Sequence, residues 1–133
     1  MKDYIVREIE KLSVTLAGLM GLKASDKEEE FMQLADAVLL NEYGINLSKL
    51  LELNTDDFKC LPEKGNYKAG KLDFLAQLLY LHCGPFSENP VIVATLEKVI
   101  VIFDLSETKY HWQSFENIGK RNLISQFLNV AHE

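Results

Sequence analysis

Five stretches of this chain repeat apolar residues at steps of three or four, which is the spacing typical of one face of an α-helix. The stretches are Asp3–Met20, Asp26–Tyr43, Tyr67–Leu81, Pro90–Phe103 and Lys109–Val130. A helix with one apolar face is stable only when that face is buried against another element. The pattern therefore predicts an all-α fold of six or seven antiparallel helices, in a helical-repeat-like stack or a bundle. At 133 residues the chain fits one domain, covering residues 1–133.

The first two helices should be neighbours joined by a short turn. The apolar stripe of the first helix is Ile5, Ile9, Leu12, Leu16 and Leu19. Gly21 suits the left-handed residue that closes a helix. Ser25 and Glu28 have the spacing of a capping box, which predicts that the second helix begins there. Tyr43 followed by Gly44 should end it.

Asparagine, glycine and proline predict the limits of the middle helices. The expected caps are Asn46 or Ser48, a residue of the segment Asn54–Asp57, Asn66, and Asn89. Pro62 should end a short helix, and Gly84-Pro85 the next one, because the residue before a proline avoids the helical conformation. Pro90 occupies the first helical position that proline favours.

The segment Val91–Phe103 admits two interpretations. Its valines and isoleucines have high strand propensity, and Glu97-Lys98 would then be a hairpin turn. That turn lacks the Gly or Asn which favoured hairpins require. We therefore expect a helix, apolar nearly all round and hence central in the fold.

The C-terminal region also admits two interpretations. Ser106 is expected to cap it, and Gly119 with the polar residues after it predicts a turn. The alternative is one long helix that runs through Gly119.

The charge of the chain argues against nucleic acid as a partner. The formal net charge is −6, and an acidic surface repels phosphate backbones unless basic residues are segregated. The basic candidates are Lys59, Lys64, Lys68 and Lys71. The last three would share a face only if one helix began before Lys64.

Neither secretion nor membrane insertion is expected. The most apolar run, Val91–Phe103, contains two charged residues and is shorter than the ~20 residues that a spanning helix needs. Two cysteines, Cys60 and Cys83, are few for a secreted chain of this size. The sequence thus predicts a cytoplasmic protein with reduced thiols.

No catalytic, cofactor or metal site is predicted. His82 and Cys83 are adjacent, so on a helix they point about 100° apart, and they are interpreted as a helix-end histidine and a small buried thiol. Asp104, Glu107 and His111 would share a helical face, but we interpret them as a solvated surface.

Two further patterns are not specific enough to predict a ligand. Gly65 and Gly70 have phosphate-loop spacing, and Lys71 follows, but Leu72 replaces the required Ser or Thr. The glutamates at 28–30 are explained by the positive end of a helix dipole.

The residues around Trp112 are the most concentrated aromatic group. Trp112 and Phe115 are expected in the core, whereas Tyr110 and His111 lie off that stripe. Because Tyr and Trp are enriched at binding surfaces, Tyr110, His111 and Trp112 are the candidate partner-binding residues.

The same region resembles a repeat family. Trp112-x-x-Phe115-x-x-Ile118-Gly119-Lys120, followed by Leu123 and Phe127, is similar to the pattern of a tetratricopeptide repeat. It departs from that pattern at Ser125 and in lacking a closing proline. The opening Asp-Tyr-Ile-Val-Arg-Glu-Ile-Glu, residues 3–10, resembles small bacterial all-helical proteins of unknown function. The resemblance implies a helical-repeat-like domain and no assigned activity.

These observations favour a non-enzymatic protein–protein interaction or regulatory module. A groove or helix face would bury the apolar residues of a partner protein or of a second copy, as in a homodimer. The alternative is a small-molecule-binding domain or an enzyme with a site between helices. His82, Asp104, Glu107 and His111 meeting in one cavity would favour that alternative.

Overall fold

The computed structural model describes the backbone of residues 2–131 and the side chains of residues 6–129. Within residues 2–131 the chain forms seven α-helices and no strand. They are α1 Lys2–Ala24, α2 Glu28–Val38, α3 Leu47–Glu52, α4 Thr55–Lys64, α5 Ala69–Cys83, α6 Pro90–Tyr110 and α7 Phe115–Ala131. A π-helical turn, Leu39–Tyr43, continues α2. The all-α prediction is confirmed, and Val91–Phe103 is helical; the side chain of Ile5 lies outside the described residues.

Three asparagine side chains begin helices where the sequence predicts caps. The Oδ1 atoms of Asn46, Asn54 and Asn89 each accept a 2.8 Å hydrogen bond from a backbone amide in the first turn of α3, α4 and α6. These bonds satisfy amides that have no partner inside the helix. Gly44 ends the π-helical turn with a left-handed φ of 71°, as predicted.

Other predicted boundaries are wrong. Helix α1 continues through Gly21 to Ala24, and Asp26 makes the left-handed turn with φ 57°. The predicted capping box is absent, because Lys27 occupies the N-cap position of α2 without a side-chain bond. Lys23 instead links the helices through a 3.0 Å ion pair with Glu28.

The middle of the chain also departs from prediction. Pro62 lies buried inside α4 rather than ending it. Asn66 does not cap α5; its φ is 52° and the helix begins at Ala69. Lys64 therefore lies on a different helix from Lys71, so the lysines do not form the predicted common face.

The C-terminal third is divided at a different position from the predicted one. Ser106 is buried within α6, which ends only at Tyr110 with His111 as a left-handed C-cap. Helix α7 is unbroken through Gly119, so the alternative of a continuous helix is correct over Phe115–Ala131. Without a turn at Gly119, the predicted helix pair of a repeat unit is not formed there.

The prediction that α6 is central agrees with its contacts, and α5 is buried beside it. Helix α5 packs between α1 and α6, and α6 also contacts α3, α4 and α7. The buried residues of α5 are Leu72, Phe74, Leu75, Ala76, Gln77, Leu78, Leu79 and Cys83. Helix α6 is longer, and Val91 in its first turn remains 53% exposed. Helix α6 is thus central by its contacts, while a larger share of the residues of α5 is buried.

Among the described residues, no helix combines the length and the apolar content that crossing a membrane requires.

Candidate functional site: a groove between α1 and α5

An open groove lies between α1 and the first turns of α5. Its shared lining is Ile9 and Leu12 from α1 with Ala69 and Gly70 from α5. One end, of about 340 Å³, is lined in addition by Ser13, Leu16, Asp73, Phe74 and Trp112. The other end, of about 480 Å³, is lined in addition by Glu8, Asn66, Lys68 and Lys71. We call these the Asp73 end and the Lys68 end of the α1–α5 groove.

Two small residues at the start of α5 shape this groove. A Cβ atom placed on Gly70 would lie only 3.2 Å from Cγ1 of Ile9, so glycine permits the close approach of the two helices. Ala69 fills little of the space beside this crossing. Ile9 packs over Gly70 and still keeps 46% of its surface exposed. Ile9 and Gly70 are thus in close contact, and apolar surface remains open beside this crossing.

A buried polar network holds the Asp73 end in place. The side-chain amide of Gln77 donates to Oδ1 of Asn117 at 2.8 Å and to Oδ1 of Asp73 at 3.2 Å. Asn117 also donates to Oδ1 of Asp73 at 2.9 Å, and Lys120 donates to Oε1 of Gln77. The network joins α5 to α7. It fixes the orientation of the Asp73 carboxylate beside the groove.

Aromatic rings fix the Lys68 end. The Nζ atom of Lys71 lies 5.1 Å from the ring centre of Tyr43 and 5.4 Å from that of Tyr67, within cation–π range. The Tyr43 hydroxyl donates a 2.6 Å hydrogen bond to the carbonyl of Lys71. Burial raises the pKa of Tyr43 far above its ordinary value, so this phenol remains a donor at neutral pH. Lys68, by contrast, is exposed.

The three residues predicted to bind a partner have different surroundings. Trp112 lines the groove and is 39% exposed. Tyr110 is half-buried, and its hydroxyl donates to the carbonyl of Tyr67. His111 is exposed at the left-handed turn between them. Only Trp112 therefore lines the groove, while Tyr110 ties the end of α6 to the segment that leads into α5.

The expectation that Trp112 and Phe115 belong to the core is wrong. Phe115 begins α7 and is 94% exposed. Steps of three residues rotate a side chain by about 60° around a helix each time, so the spacing of Trp112, Phe115 and Ile118 does not define one face. Trp112 lies outside the helices altogether. Residues 111–114 are not helical, so Trp112 does not share a helix with Phe115 and Ile118.

Sequence reasoning missed the role of Ala69 and Gly70. Alanine has a small side chain and glycine has none, so neither stands out in a hydrophobic pattern. Ile9 is close to Gly70 in space but distant in sequence. The available signal is the Ala-Gly pair in the first turn of an otherwise bulky apolar helix.

The other candidate groups are separate from the groove. Arg121 binds Asp104 at 2.7 Å and lies 3.7 Å from Glu107. Across the described residues, no group of three or more His, Cys, Asp or Glu side chains is arranged to hold a metal ion. Asp104 and Glu107, which the sequence predicted to lie on a solvated surface, thus form ion pairs with Arg121.

Burial shifts the pKa values of His82 and Cys83 in the directions opposite to those of a reactive thiolate–imidazolium pair. Burial, with a smaller effect from Lys23, lowers the pKa of His82. Its Nδ1 atom is buried and has no hydrogen-bond partner among the described residues. Burial raises the pKa of the Cys83 thiol to about 12. The interpretation of Cys83 as a small buried thiol is confirmed.

Comparisons of the chain with protein-family models, with curated proteins and with solved structures give no match. The resemblance to bacterial helical proteins and to tetratricopeptide repeats is therefore unconfirmed.

Proposed function

We propose that this protein is a non-enzymatic protein–protein interaction module whose binding site is the α1–α5 groove. The observation that carries the proposal is an open apolar groove with the single tryptophan of the chain at its rim. Binding sites for protein segments bury a few large anchors, and Trp is the residue type most enriched among them. Two cysteines, both free, agree with the cytoplasmic location that the sequence predicts.

The surface around the groove supports this proposal. Val6, one turn before Ile9 on α1, is 52% exposed, and Phe115 is almost fully exposed three residues after Trp112. Each is close in sequence to a residue that lines the groove, and contiguous exposed apolar surface is typical of interaction sites. The charged residues of the groove lie at its two ends, which is the arrangement of a polar rim around an apolar centre.

An enzyme or small-molecule site between helices has less support. Asp73 is the carboxylate at one end of the groove, and amides of Gln77 and Asn117 already bond its Oδ1 atom. Neither histidine of the described side chains lines the groove.

Site-specific photo-crosslinking tests the proposal. A photo-crosslinking amino acid replaces Ser13, an exposed residue that lines the groove, in the full chain expressed in its native cells. The matched control carries the same group at Ser125, which is exposed on α7 and lines neither end of the groove. We expect covalent protein adducts from position 13 and none from position 125. Loss of the adduct in a Trp112→Ala background assigns the binding to the groove.

The opposite result is equally clear. Position 13 giving no protein adduct, or the same adducts as position 125, overturns the proposal. Helicity measured by circular dichroism confirms that each variant is folded.

A further inference from the structure

The geometry points to a second copy of this chain as the occupant of the α1–α5 groove, in a two-fold dimer. In this dimer Phe115 of each protomer enters the Lys68 end of the other protomer's groove. Lys68 of each protomer then faces Asp73 of the other. This inference rests on the proposed function, because it names the partner for that same groove.

The exposed ring of Phe115 is the part of each protomer that would enter the groove of the other. Its side chain is 94% exposed in the first turn of α7. Burying a phenylalanine side chain is favourable, so covering this ring would stabilise an interface. The groove offers apolar walls from Ile9, Leu12 and Ala69. An aromatic ring between small and aliphatic side chains is the usual anchor of an interface.

The short length of chain between Phe115 and the groove permits a reciprocal contact. Trp112 lines the groove, and Phe115 follows it by three residues, so the two lie no more than about 11 Å apart along the chain. A projection and a cavity on distant surfaces would join copies head to tail in an open chain. A projection and a cavity that are adjacent permit a two-fold arrangement, in which the Phe115 ring of each protomer enters the groove of the other.

The charges at the two ends of the groove agree with the same symmetry. The Asp73 end contains one carboxylate, whereas the Lys68 end contains two lysines and Glu8. A two-fold axis perpendicular to the groove reverses its direction, so each end meets the opposite end of the other copy. Lys68, exposed and outside the Tyr43–Tyr67 contact, is then placed against Asp73 of the other protomer. Opposite charges across an interface fix its register.

Light scattering of the purified full chain, over a range of concentrations, gives the first test. We expect a dimer for the natural sequence and a monomer for Phe115→Asp, because the carboxylate cannot enter an apolar groove. Phe115→Ala should weaken dimerisation by at least about tenfold. The matched control is Leu123→Asp, since Leu123 is also exposed on α7, at 54%, and should leave the dimer intact.

Disulfide trapping tests the contact itself. In a Cys60→Ser background, a Phe115→Cys chain is mixed with an Ala69→Cys chain under mild oxidation. We expect a disulfide between the two chains, because the proposed contact brings these positions within the few ångströms that a disulfide spans. A Leu123→Cys chain mixed with the Ala69→Cys chain should not form one.

Three results overturn the inference. They are a natural chain that is monomeric at the highest concentration, a dimer that survives Phe115→Asp, and equal dissociation by Leu123→Asp. The crosslinking experiment separates this failure from that of the proposed function. An adduct at position 13 with a different protein overturns the two-fold dimer and leaves the groove as a binding site.

Discussion

Cys60 and Cys83 place the same thiol in opposite environments. Cys60 is exposed, whereas Cys83 is fully buried at the end of α5 and has a pKa raised to about 12. Since the thiolate is the reactive form, Cys83 is almost entirely protonated at pH 8. We expect one thiol of the native protein to react with Ellman's reagent and both to react after denaturation. The Cys60→Ser variant should show no reaction when folded; a rapid reaction would contradict the burial of Cys83.

His82 should make the stability of the protein sensitive to mild acid. Its pKa is lowered from 6.5 in the folded protein, mainly by burial. Between the folded and the unfolded pKa the unfolded chain binds more protons, so the free energy of unfolding rises with pH in that range. Stability should therefore fall as pH decreases below about 6.5, and this contribution should be constant above it. Urea titrations at several pH values check this, and His82→Gln should flatten the slope.

Two glycines should respond in opposite ways to the same substitution. Gly44 has a φ of +71°, while Gly119 lies within α7, and a Cβ on either residue meets nothing within 4 Å. Gly44→Ala should destabilise the protein by about 1–2 kcal/mol through backbone strain alone. Gly119→Ala should stabilise it by about 0.5–1 kcal/mol, because alanine favours a helix. Chemical denaturation measures both, and a destabilising Gly119→Ala would indicate that α7 is broken there.

At the scale of whole helices, Asn117 is one of the residues that attach α7 to α5. It is 6% exposed and bonds both Gln77 and Asp73. Asn117→Ala should cost about 1–3 kcal/mol, because it leaves buried polar groups of α5 without partners. The matched control, Asn122→Ala, changes an exposed asparagine of the same helix and should alter stability by less than about 0.5 kcal/mol.

A double-mutant cycle completes that experiment. Gln77→Ala and Asn117→Ala combined should cost less than the sum of the single changes, because each removes the same hydrogen bond. Additive effects would show that the bond does not contribute to stability.

The helices differ in how far sequence alone predicts them. Asn46 and Asn89 were predictable as caps because a cap depends on an amide two or three residues away. The end of α1 was not, because the Lys23–Glu28 ion pair and the turn at Asp26 compete with the helix-ending preference of Gly21. Local signals thus predict a boundary only when nothing across the turn overrides them.

At the scale of the whole molecule, the groove is formed by residues from three separate segments of the chain. The groove depends on Ile9 crossing Gly70, two residues that are distant in sequence, and on Trp112 reaching its rim from a third segment. A hydrophobic pattern gives the face of each helix but not which helix covers it. For this reason the class of the fold was predictable, whereas the groove and the exposure of Phe115 were not.

A single core running through α1, α5 and α6 predicts that the whole chain unfolds in one step. Far-UV circular dichroism follows all helices, and the fluorescence of Trp112 follows only the junction of α6 and α7. The two signals should have the same urea midpoint. If the two-fold dimer forms, that midpoint should also rise with protein concentration in the natural chain but not in Phe115→Asp. Separate midpoints would show that the C-terminal helices are an independent unit, because one cooperative domain cannot lose part of its core before the rest.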